Sequence, residues 1–328
     1  MGIADARRIR QRTASSRWLP VVVLLAALLV GCTSAAGAVS GRTSTASRGD
    51  RTLLPRPTAG AYQHGRLLTV RIPGGHSAFR PRPAYVYLPP ALAREPDLRL
   101  PVLELLHGNP GLPSDWQAHG GLTTTLDAFA AQHGGRAPIV VMPDINGSYR
   151  ADSECVRAHA GGNVEEYLTV QVPQYVLSHL PASPDRARWA LAGLSEGGMC
   201  SLLLALRAYP SYRAFGDFSG LAEPSPADSD DAPRAISELF GGSRAAFDQH
   251  DPLWLIARRH YPGLAGWFFA GASDHVVAKD QATVASAAQR AGVEARSVVV
   301  PGMHDWAVWV QALQRFLPWL WPLVTHGG

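Results

Sequence analysis

The chain has 328 residues, of which 46% are hydrophobic, a proportion typical of a globular protein with a sizeable core. Its formal net charge of +4 comes from the N-terminus: removing the five arginines and one aspartate of residues 1–31 from the 30 basic and 26 acidic residues leaves 25 of each. The remaining arginines are scattered. The composition therefore excludes the basic surface that a nucleic-acid partner requires.

The first 31 residues have the pattern of an export signal. A basic segment precedes thirteen apolar residues at 18–30, fewer than the roughly 20 that a transmembrane helix needs. The sequence Leu29-Val30-Gly31-Cys32 follows, and it resembles the lipobox of bacterial lipoproteins. The resemblance implies cleavage before Cys32, lipid on the Cys32 sulfur and new N-terminus, and anchoring to the outer face of the cytoplasmic membrane. An ordinary secretory signal, with Cys32 there by chance, is the alternative.

Two further regions follow the export signal. Residues 32–52 are almost all Ser, Thr, Ala, Gly and Arg, which cannot bury enough apolar surface to fold, so we expect a flexible tether. Residues 53–328 contain no internal repeat and no second linker. Their length suits a single domain, and we expect a monomer.

Strands alternate with helices along residues 53–328. Short apolar or β-branched runs predict strands at 67–72, 84–88, 101–106, 139–142, 189–192, 214–219, 267–270 and 295–300. Helical patterns, the first with a capping box at Asn163 and Glu166, predict helices at 163–179, 197–208, 280–291 and 306–317. This alternation predicts a mostly parallel sheet with helices on both faces. Residues 223–263 interrupt this alternation of strands and helices. We expect this segment, called the excursion below, to cross over the top of the sheet.

The pattern Gly193-x-Ser195-x-Gly197 lies between a predicted strand and a predicted helix. This is the context of a nucleophile elbow, a sharp turn that holds a serine hydroxyl above the sheet. Glycine is needed on both sides because a side chain there would collide with neighbouring backbone. The following helix N-terminus faces the negative charge that develops in acyl transfer. The pattern therefore predicts Ser195 as a nucleophile.

A serine nucleophile needs a histidine base and an acid, and in this fold the acid precedes the histidine along the chain. His304 lies between the last predicted strand and the last predicted helix, where a loop can return the imidazole to Ser195. Asp274 follows the predicted strand at 267–270 and is the preferred acid. The alternatives are Asp248 and Asp251 in the excursion, Asp280 and Asp305.

An oxyanion hole needs two backbone N–H groups directed at the developing charge. One is expected from Glu196, the residue after the nucleophile. The other is expected from the loop that follows the predicted strand at 101–106. Its residues His107, Gly108 and Asn109 resemble the His-Gly loops of esterases. Asn109 is the expected donor, because the next residue is a proline without an N–H. The resemblance places His107 and Gly108 at the substrate.

Four segments together resemble the putative-esterase family of α/β-hydrolases: residues 106–108, 141–143, 193–198 and 301–306. That family includes esterase D type enzymes and bacterial mycolyltransferases. The resemblance, over residues 65–320, implies the α/β-hydrolase fold. It also implies a triad of Ser195, His304 and Asp274 that hydrolyses carboxylic esters through an acyl-enzyme. The chain departs from the mycolyltransferases in having aspartate as the acid and His107 in the first loop. Neither trehalose nor mycolate is therefore carried over as a substrate.

Two other functions stay open on the sequence. An acyltransferase would use the same triad, with a sugar or lipid hydroxyl in place of water. A non-catalytic binding lipoprotein on a hydrolase scaffold would usually have lost the serine or the histidine, and both are present. The excursion at 223–263 would cover the active site, so the sequence names neither the acyl chain nor the alcohol. We expect no cofactor and no metal, because the chain lacks CxxC and HExxH spacing.

Cys155 and Cys200 are the cysteines that remain after Cys32. Export would place both in an oxidising compartment, where disulfides persist. Cys200 lies on the predicted helix after the elbow, and Cys155 lies on a loop after the predicted strand at 139–142. A disulfide between them would hold that loop beside the active site. Two buried free thiols are the alternative.

Overall fold

The computed structural model describes residues 63–157, 161–225 and 232–325. The expected export signal at 1–31, Cys32 and the tether at 32–52 lie outside the described residues, and so does the section 226–231 of the excursion. Within the part of the chain that is described, no helix combines the length and hydropathy that crossing a membrane requires.

A central sheet of eight strands runs through the described residues. The strands are β1 (Arg66–Val70), β2 (Ala84–Leu88), β3 (Val102–Leu106), β4 (Ile139–Met142), β5 (Trp189–Leu194), β6 (Ala214–Phe218), β7 (Ala265–Gly271) and β8 (Glu294–Val300). Their spatial order is β1-β2-β4-β3-β5-β6-β7-β8. β1 pairs antiparallel with β2, and β2 pairs antiparallel with β4, whereas all other pairs are parallel. The predicted strands and the mostly parallel sheet are confirmed.

The parallel strands at the centre of the sheet are apolar along almost their whole length. Every residue of β3, β4 and β5 is buried, because helices cover both faces of the sheet. Glu104 is the one charged residue in these three strands. Its carboxyl accepts a hydrogen bond from the hydroxyl of Tyr212 at 3.1 Å.

Eleven helices pack around the sheet in the described residues. They are α1 (Ala91–Arg94), α2 (Asp115–Ala118), α3 (Leu122–Ala131), α4 (Val164–Glu166), α5 (Val172–His179), α6 (Glu196–Arg207), α7 (Ala232–Phe240), α8 (Arg244–Asp248), α9 (Pro252–Ile256), α10 (His275–Arg290) and α11 (Trp306–Thr325). A π-helical turn, Tyr167–Gln171, joins α4 to α5, and 3-10 turns lie at Gly75–Ser77 and Arg186–Arg188.

Two hydrophobic layers flank the sheet. On one face, α5 to α10 bury side chains such as Leu203 and Val284 against the strands. On the other face, α3 and α11 bury side chains such as Leu126 and Phe316. Alternation along the strands supplies both layers, since Leu106 of β3 belongs to the first and Leu105 to the second.

Two helix ends differ from the predictions. α10 begins at His275, five residues before the predicted start, and the Asp274 side chain that precedes it binds His304 rather than capping the helix. α11 continues past its predicted end to Thr325 although Pro318 and Pro322 lie inside it. Leu320 and Val324 are buried in the second layer, and this packing compensates for the hydrogen bonds that the prolines cannot donate.

The excursion contains the three short helices α7, α8 and α9. α9 packs against α6 and α10, so this part of the excursion belongs to the helical layer. Arg207 of α6 ties α8 to α4: its Nη1 donates to the carbonyl oxygen of Gln249, and its Nε donates to Glu165 at 2.6 Å. The cavity at Ser195 is lined by none of the described residues of the excursion. The expectation that this segment covers the active site therefore stays a prediction.

Candidate active site

Ser195 lies at the turn between β5 and α6. Its backbone dihedrals, φ 53° and ψ −124°, are sparsely populated for a residue with a side chain, and such strain costs on the order of 1–3 kcal/mol. Gly193 and Gly197 permit the turn. A Cβ on Gly193 would lie 2.2 Å from the carbonyl oxygen of Gly197, and a Cβ on Gly197 would lie 2.3 Å from that of His107. The turn presents Ser195 to a surface cavity.

A line of hydrogen bonds connects Asp274, His304 and Ser195. Asp274 follows β7, and His304 lies in the loop between β8 and α11. The Nδ1 of His304 is 2.7 Å from Asp274 Oδ2, and its Nε2 is 2.9 Å from Ser195 Oγ. Because a carboxylate only accepts, Nδ1–H donates to Asp274, which leaves Nε2 free to accept from the serine hydroxyl. The structure thus brings together the three side chains that the sequence singled out.

The other candidate acids have different partners. Asp248 pairs with Arg244 Nε at 2.6 Å within α8. Asp251 accepts from the backbone of Leu253 at the start of α9, and Asp305 accepts from the backbone near the start of α11. Asp280 lies within α10. Asp274 alone among these five hydrogen-bonds to His304 in the described residues.

The cavity at Ser195 has a volume of about 400 Å³. It is lined by Gly108, Asn109, Pro110, Asp115, Leu194, Ser195, His304, Asp305, Trp306 and Trp309. The ring of Trp309 meets those of Trp306 and His304 edge to face, with centroids 5.3 and 5.1 Å apart. The cavity therefore offers an aromatic wall and two carboxylates beside the serine.

Both expected oxyanion-hole donors lie next to Ser195. Glu196 is the first residue of α6, so its N–H has no acceptor in a preceding helical turn. Asn109 lines the cavity beside Gly108. The Gly108 backbone packs on the elbow so closely that a Cβ there would lie 3.1 Å from Ser195 Cβ. The two expected donors thus come from different segments, the elbow and the loop after β3, and their role as an oxyanion hole stays a prediction.

The imidazole of His107 does not reach the cavity, contrary to the expectation that it contacts substrate. Its side chain is fully buried. The Nδ1–H donates to the carbonyl oxygen of Gly108 at 2.8 Å, and Nε2 accepts from the backbone N–H of Ile145 at 3.2 Å. Burial is tolerated because both ring nitrogens have polar neighbours. Gly108, the other residue expected at the substrate, does line the cavity.

Asp144 accepts hydrogen bonds from several segments next to the site, a role that the sequence did not predict. Arg82 binds its carboxylate through the guanidinium and, at 2.7 Å, through the backbone N–H. The Nη1 of Arg82 also donates to the carbonyl oxygen of Gly111 at 3.0 Å. Burial opposes ionisation of Asp144, but the hydrogen bonds and positive charge of Arg82 hold its pKa well below the usual range. Asp144 lies just after β4, at the carboxyl end of a parallel strand, and this position could have indicated from the sequence that it lies near the site.

Comparison with known proteins agrees with this fold. A family model described as "Putative esterase" matches residues 76–320. The chain belongs to the putative-esterase family. An uncharacterized protein of Corynebacterium glutamicum is 33% identical over 274 residues, which cover 80% of this chain and 63% of that protein. The chain thus spans less than two thirds of the length of this relative.

Solved structures share the fold of this esterase-family chain at low sequence identity. A ferulic acid esterase superposes with a TM-score of 0.68 at 22% identity, covering 80% of this chain and 99% of that one. An S-formylglutathione hydrolase from Agrobacterium tumefaciens gives a TM-score of 0.61 at 18% identity, covering 81% and 97%. The α/β-hydrolase fold is confirmed, and family membership supports an esterase or acyltransferase activity.

In this esterase-family chain, Cys155 and Cys200 form a disulfide with their Cα atoms 5.7 Å apart. Both residues are buried. Cys200 lies one helical turn after Glu196, so the disulfide ties the loop that carries Cys155 to the first turns of α6. The loop is therefore held against the helix that begins at the elbow.

Three carboxyl groups, of Asp152, Glu154 and Glu196, lie close to the disulfide, with one oxygen from each within 4.8 Å of the others. In the described residues this is the one such group that could hold a metal ion. Burial and the negative charges of Glu196 and Asp152 raise the pKa of Glu154 well above its usual range, and burial and Asp152 raise that of Glu196. The raised pKa values disfavour the charged carboxylates that a cation needs, and the expectation of no metal stays a prediction.

Proposed function

We propose that this chain is a serine esterase that hydrolyses carboxylic esters. Ser195 is the nucleophile, His304 the general base and then acid, and Asp274 the group that orients His304. The observation that carries the proposal is the line of hydrogen bonds from Asp274 through His304 to Ser195, which ends at the cavity. Family membership supports the class of reaction.

Acylation follows from this arrangement. The Nε2 of His304 takes the proton of Ser195 as Oγ attacks the ester carbonyl carbon, and the carbonyl oxygen becomes an oxyanion. The N–H groups of Asn109 and Glu196 donate to that oxygen. Asp274 stabilises the imidazolium. When the carbon–oxygen bond to the alcohol breaks, the proton on Nε2 passes to the departing alkoxide, and the acyl group stays on Ser195.

Deacylation repeats the sequence with water in place of the serine hydroxyl. His304 removes a proton from water, hydroxide adds to the acyl carbon, and the collapse of the adduct returns the proton to Ser195 Oγ. The acid is released and the enzyme is regenerated. The cavity of about 400 Å³ lies at the small end of the range of ligand sites, which suits a small ester. The rings of Trp306 and Trp309 offer its acyl or alcohol part an apolar face.

Export and anchoring form the second part of the proposal. The lipobox-like sequence at 29–32 supports lipidation of Cys32. The disulfide between Cys155 and Cys200 supports an oxidising compartment, since such bonds are rare in the cytosol. We infer that the mature protein is held by lipid at the outer face of the cytoplasmic membrane, with its active site directed to extracytoplasmic esters.

The test is a comparison of the wild type with Ser195→Ala. A fluorophosphonate probe should label the wild type, and peptide mass mapping should place the label on Ser195. Hydrolysis of p-nitrophenyl esters of graded chain length should fall by roughly five orders of magnitude or more in Ser195→Ala, because the covalent intermediate cannot form. Absence of both labelling and turnover in the folded wild type would refute the proposed function.

A further inference from the structure

The side chain of Glu196 points away from the cavity that its backbone borders. Its carboxyl is buried and binds the segment 144–156 on the neighbouring loop. The Oε2 of Glu196 accepts from Asn146 Nδ2 at 2.6 Å, and Oε1 accepts from the backbone N–H of Glu154 at 3.1 Å. Neither bond is needed to form the elbow, which its two glycines already permit.

Asn146 continues the connection to Asp144. The backbone N–H of Asn146 donates to Asp144 Oδ1 at 3.1 Å, and its side-chain oxygen accepts from the backbone N–H of Ser153 at 2.9 Å. The amide of Asn146 is therefore fixed at both ends. Its NH₂ group reaches Glu196 while its backbone reaches Asp144.

From Asp144 the connection reaches the oxyanion loop on both sides of Asn109. His107 accepts from the backbone N–H of Ile145, the residue directly after Asp144, and donates to the carbonyl oxygen of Gly108. Arg82, paired with Asp144, donates to the carbonyl oxygen of Gly111. A continuous chain of buried or half-buried polar contacts thus links the two residues whose N–H groups form the proposed oxyanion hole.

We propose that the Glu196 carboxyl is a positioning residue that, through Asn146 and Asp144, keeps the N–H groups of Asn109 and Glu196 directed at one point. The inference rests on the proposed function. One donor comes from the elbow and the other from a loop more than 80 positions earlier in the chain. Their relative position needs a physical link, because transition-state stabilisation depends on distances held to within fractions of an ångström.

Removing the hydrogen bonds between Glu196 and Asn146 should lower kcat more than it lowers the stability of the fold. Without the Glu196 carboxyl, the amide of Asn146 loses an acceptor and can shift. The disulfide from Cys155, directly after Glu154, to Cys200 on α6 still holds the same loop to the same helix. We therefore expect Glu196→Ala and Asn146→Ala to fold and to keep the hydrogen bonds of His304.

The experiment measures kcat and KM for a p-nitrophenyl ester in both variants and in the double variant. Each single variant should lose kcat by roughly 10- to 100-fold, the scale of small misplacements in an active site, with KM nearly unchanged. The kcat of the double variant should be no lower than that of the less active single variant, because both changes break the same link. Glu196→Gln keeps one acceptor oxygen and should recover part of the lost kcat.

An aryl boronic acid supplies an independent readout. It bonds to the serine oxygen and places one of its own oxygens where the oxyanion forms. Its affinity should fall in parallel with kcat in Glu196→Ala and Asn146→Ala. If Glu196→Ala fails to fold, Asn146→Ala cuts the same bond from the loop side, and its kcat and boronate affinity decide the question.

Glu165→Gln is the matched control. Glu165 also bridges separate elements, through Arg207 and His250, but among the described residues these bonds do not lead to the oxyanion loop. It should lose stability and keep wild-type kcat. Equal losses of kcat in Glu165→Gln and Glu196→Ala, or wild-type kcat in both Glu196→Ala and Asn146→Ala, would overturn the positioning role. A wild type that neither reacts with fluorophosphonate nor hydrolyses any ester would instead overturn the proposed function.

Discussion

Asp274 fixes the orientation of His304, and an asparagine in its place would not. The Nδ1–H of His304 donates to Asp274 Oδ2 at 2.7 Å, whereas an asparagine can present its NH₂ group and favour the other imidazole tautomer. We expect Asp274→Asn to lower kcat by roughly four orders of magnitude with a small effect on KM, as when a triad aspartate is replaced in serine proteases. Steady-state hydrolysis of a p-nitrophenyl ester measures both.

Asp248→Asn is the control for this prediction. The Asp248 carboxylate binds Arg244 on the same helix, so its loss should leave kcat close to that of the wild type. Near-wild-type turnover in Asp274→Asn, combined with lost turnover in Asp248→Asn or Asp251→Asn, would show that the excursion supplies the acid.

The sequence was informative about residues whose role depends on their place after a strand. Ser195, Asp274 and His304 could be selected because each follows a recognisable strand and because their order along the chain is characteristic. Asp144 and Arg82 could not be linked to this site in the same way. They lie 62 positions apart and meet through tertiary packing, for which no local pattern exists. The burial of His107 was hidden for the same reason.

Glu104 makes the stability of the folded protein depend on pH. Burial raises the pKa of its carboxyl to about 7, against the weaker effects of Arg186 and Tyr212. The folded state therefore keeps a proton that the unfolded state releases above pH 4.5. This contribution is fully present at low pH and is lost as the pH rises through about 7. Burial also raises the pKa of Asp217 to about 7, so Asp217 adds a second loss of stability over the same pH range.

Glu104→Gln should remove one of these two contributions. At pH 4 we expect wild type and variant to be equally stable. At pH 8 the variant should be more stable by up to about 3 kcal/mol, the equivalent of a pKa shift from 4.5 to about 7. Urea denaturation at both pH values measures the difference. Glu294→Gln, on an exposed side chain, is the control and should match the wild type at both. A variant less stable than wild type at pH 8 would contradict the argument.

At the scale of elements, periodicity predicted strands better than helix boundaries. A strand buried on both faces is a short apolar run, and β2 and β4 were predicted with their observed ends. α3 was missed although Leu122, Leu126 and Phe129 have helical spacing. α7 to α9 are too short, and their segment too rich in Pro, Ser and Asp, for a clear apolar stripe. The position of α9 beside α6 and α10 depends on contacts that only the folded chain shows.

The disulfide between the loop after β4 and α6 should contribute to stability at this scale. It closes a loop between residues 45 positions apart, for which the chain-entropy model gives about 4 kcal/mol. We expect the double variant Cys155→Ala/Cys200→Ala to lose a free energy of unfolding of that order in urea denaturation. Peptide mass mapping without reductant should recover the linked pair. Free thiols at both positions in freshly exported protein would contradict the prediction.

At the scale of the whole molecule, charge would not explain the membrane attachment that we propose. Once residues 1–31 are removed, the acidic and basic residues balance, so anionic lipid headgroups would not attract the mature protein strongly. Membrane binding would then depend on the lipid at Cys32. Attachment at both its sulfur and its amino group supplies more than one acyl chain, which stable anchoring requires.

We therefore expect Cys32→Ala to separate anchoring from catalysis. The wild type should sediment with membranes and begin at a lipidated Cys32, whereas the variant should be soluble or keep its export signal. Its ester turnover per folded molecule should equal that of the wild type, because the active site lies in residues 108–309. Membrane fractionation and mass spectrometry of the N-terminus measure the two outcomes. Ser195→Ala is the reciprocal control, since it should remain anchored while it loses turnover. Identical partitioning and identical N-termini in wild type and Cys32→Ala would exclude the lipid anchor and leave an ordinary secretory signal.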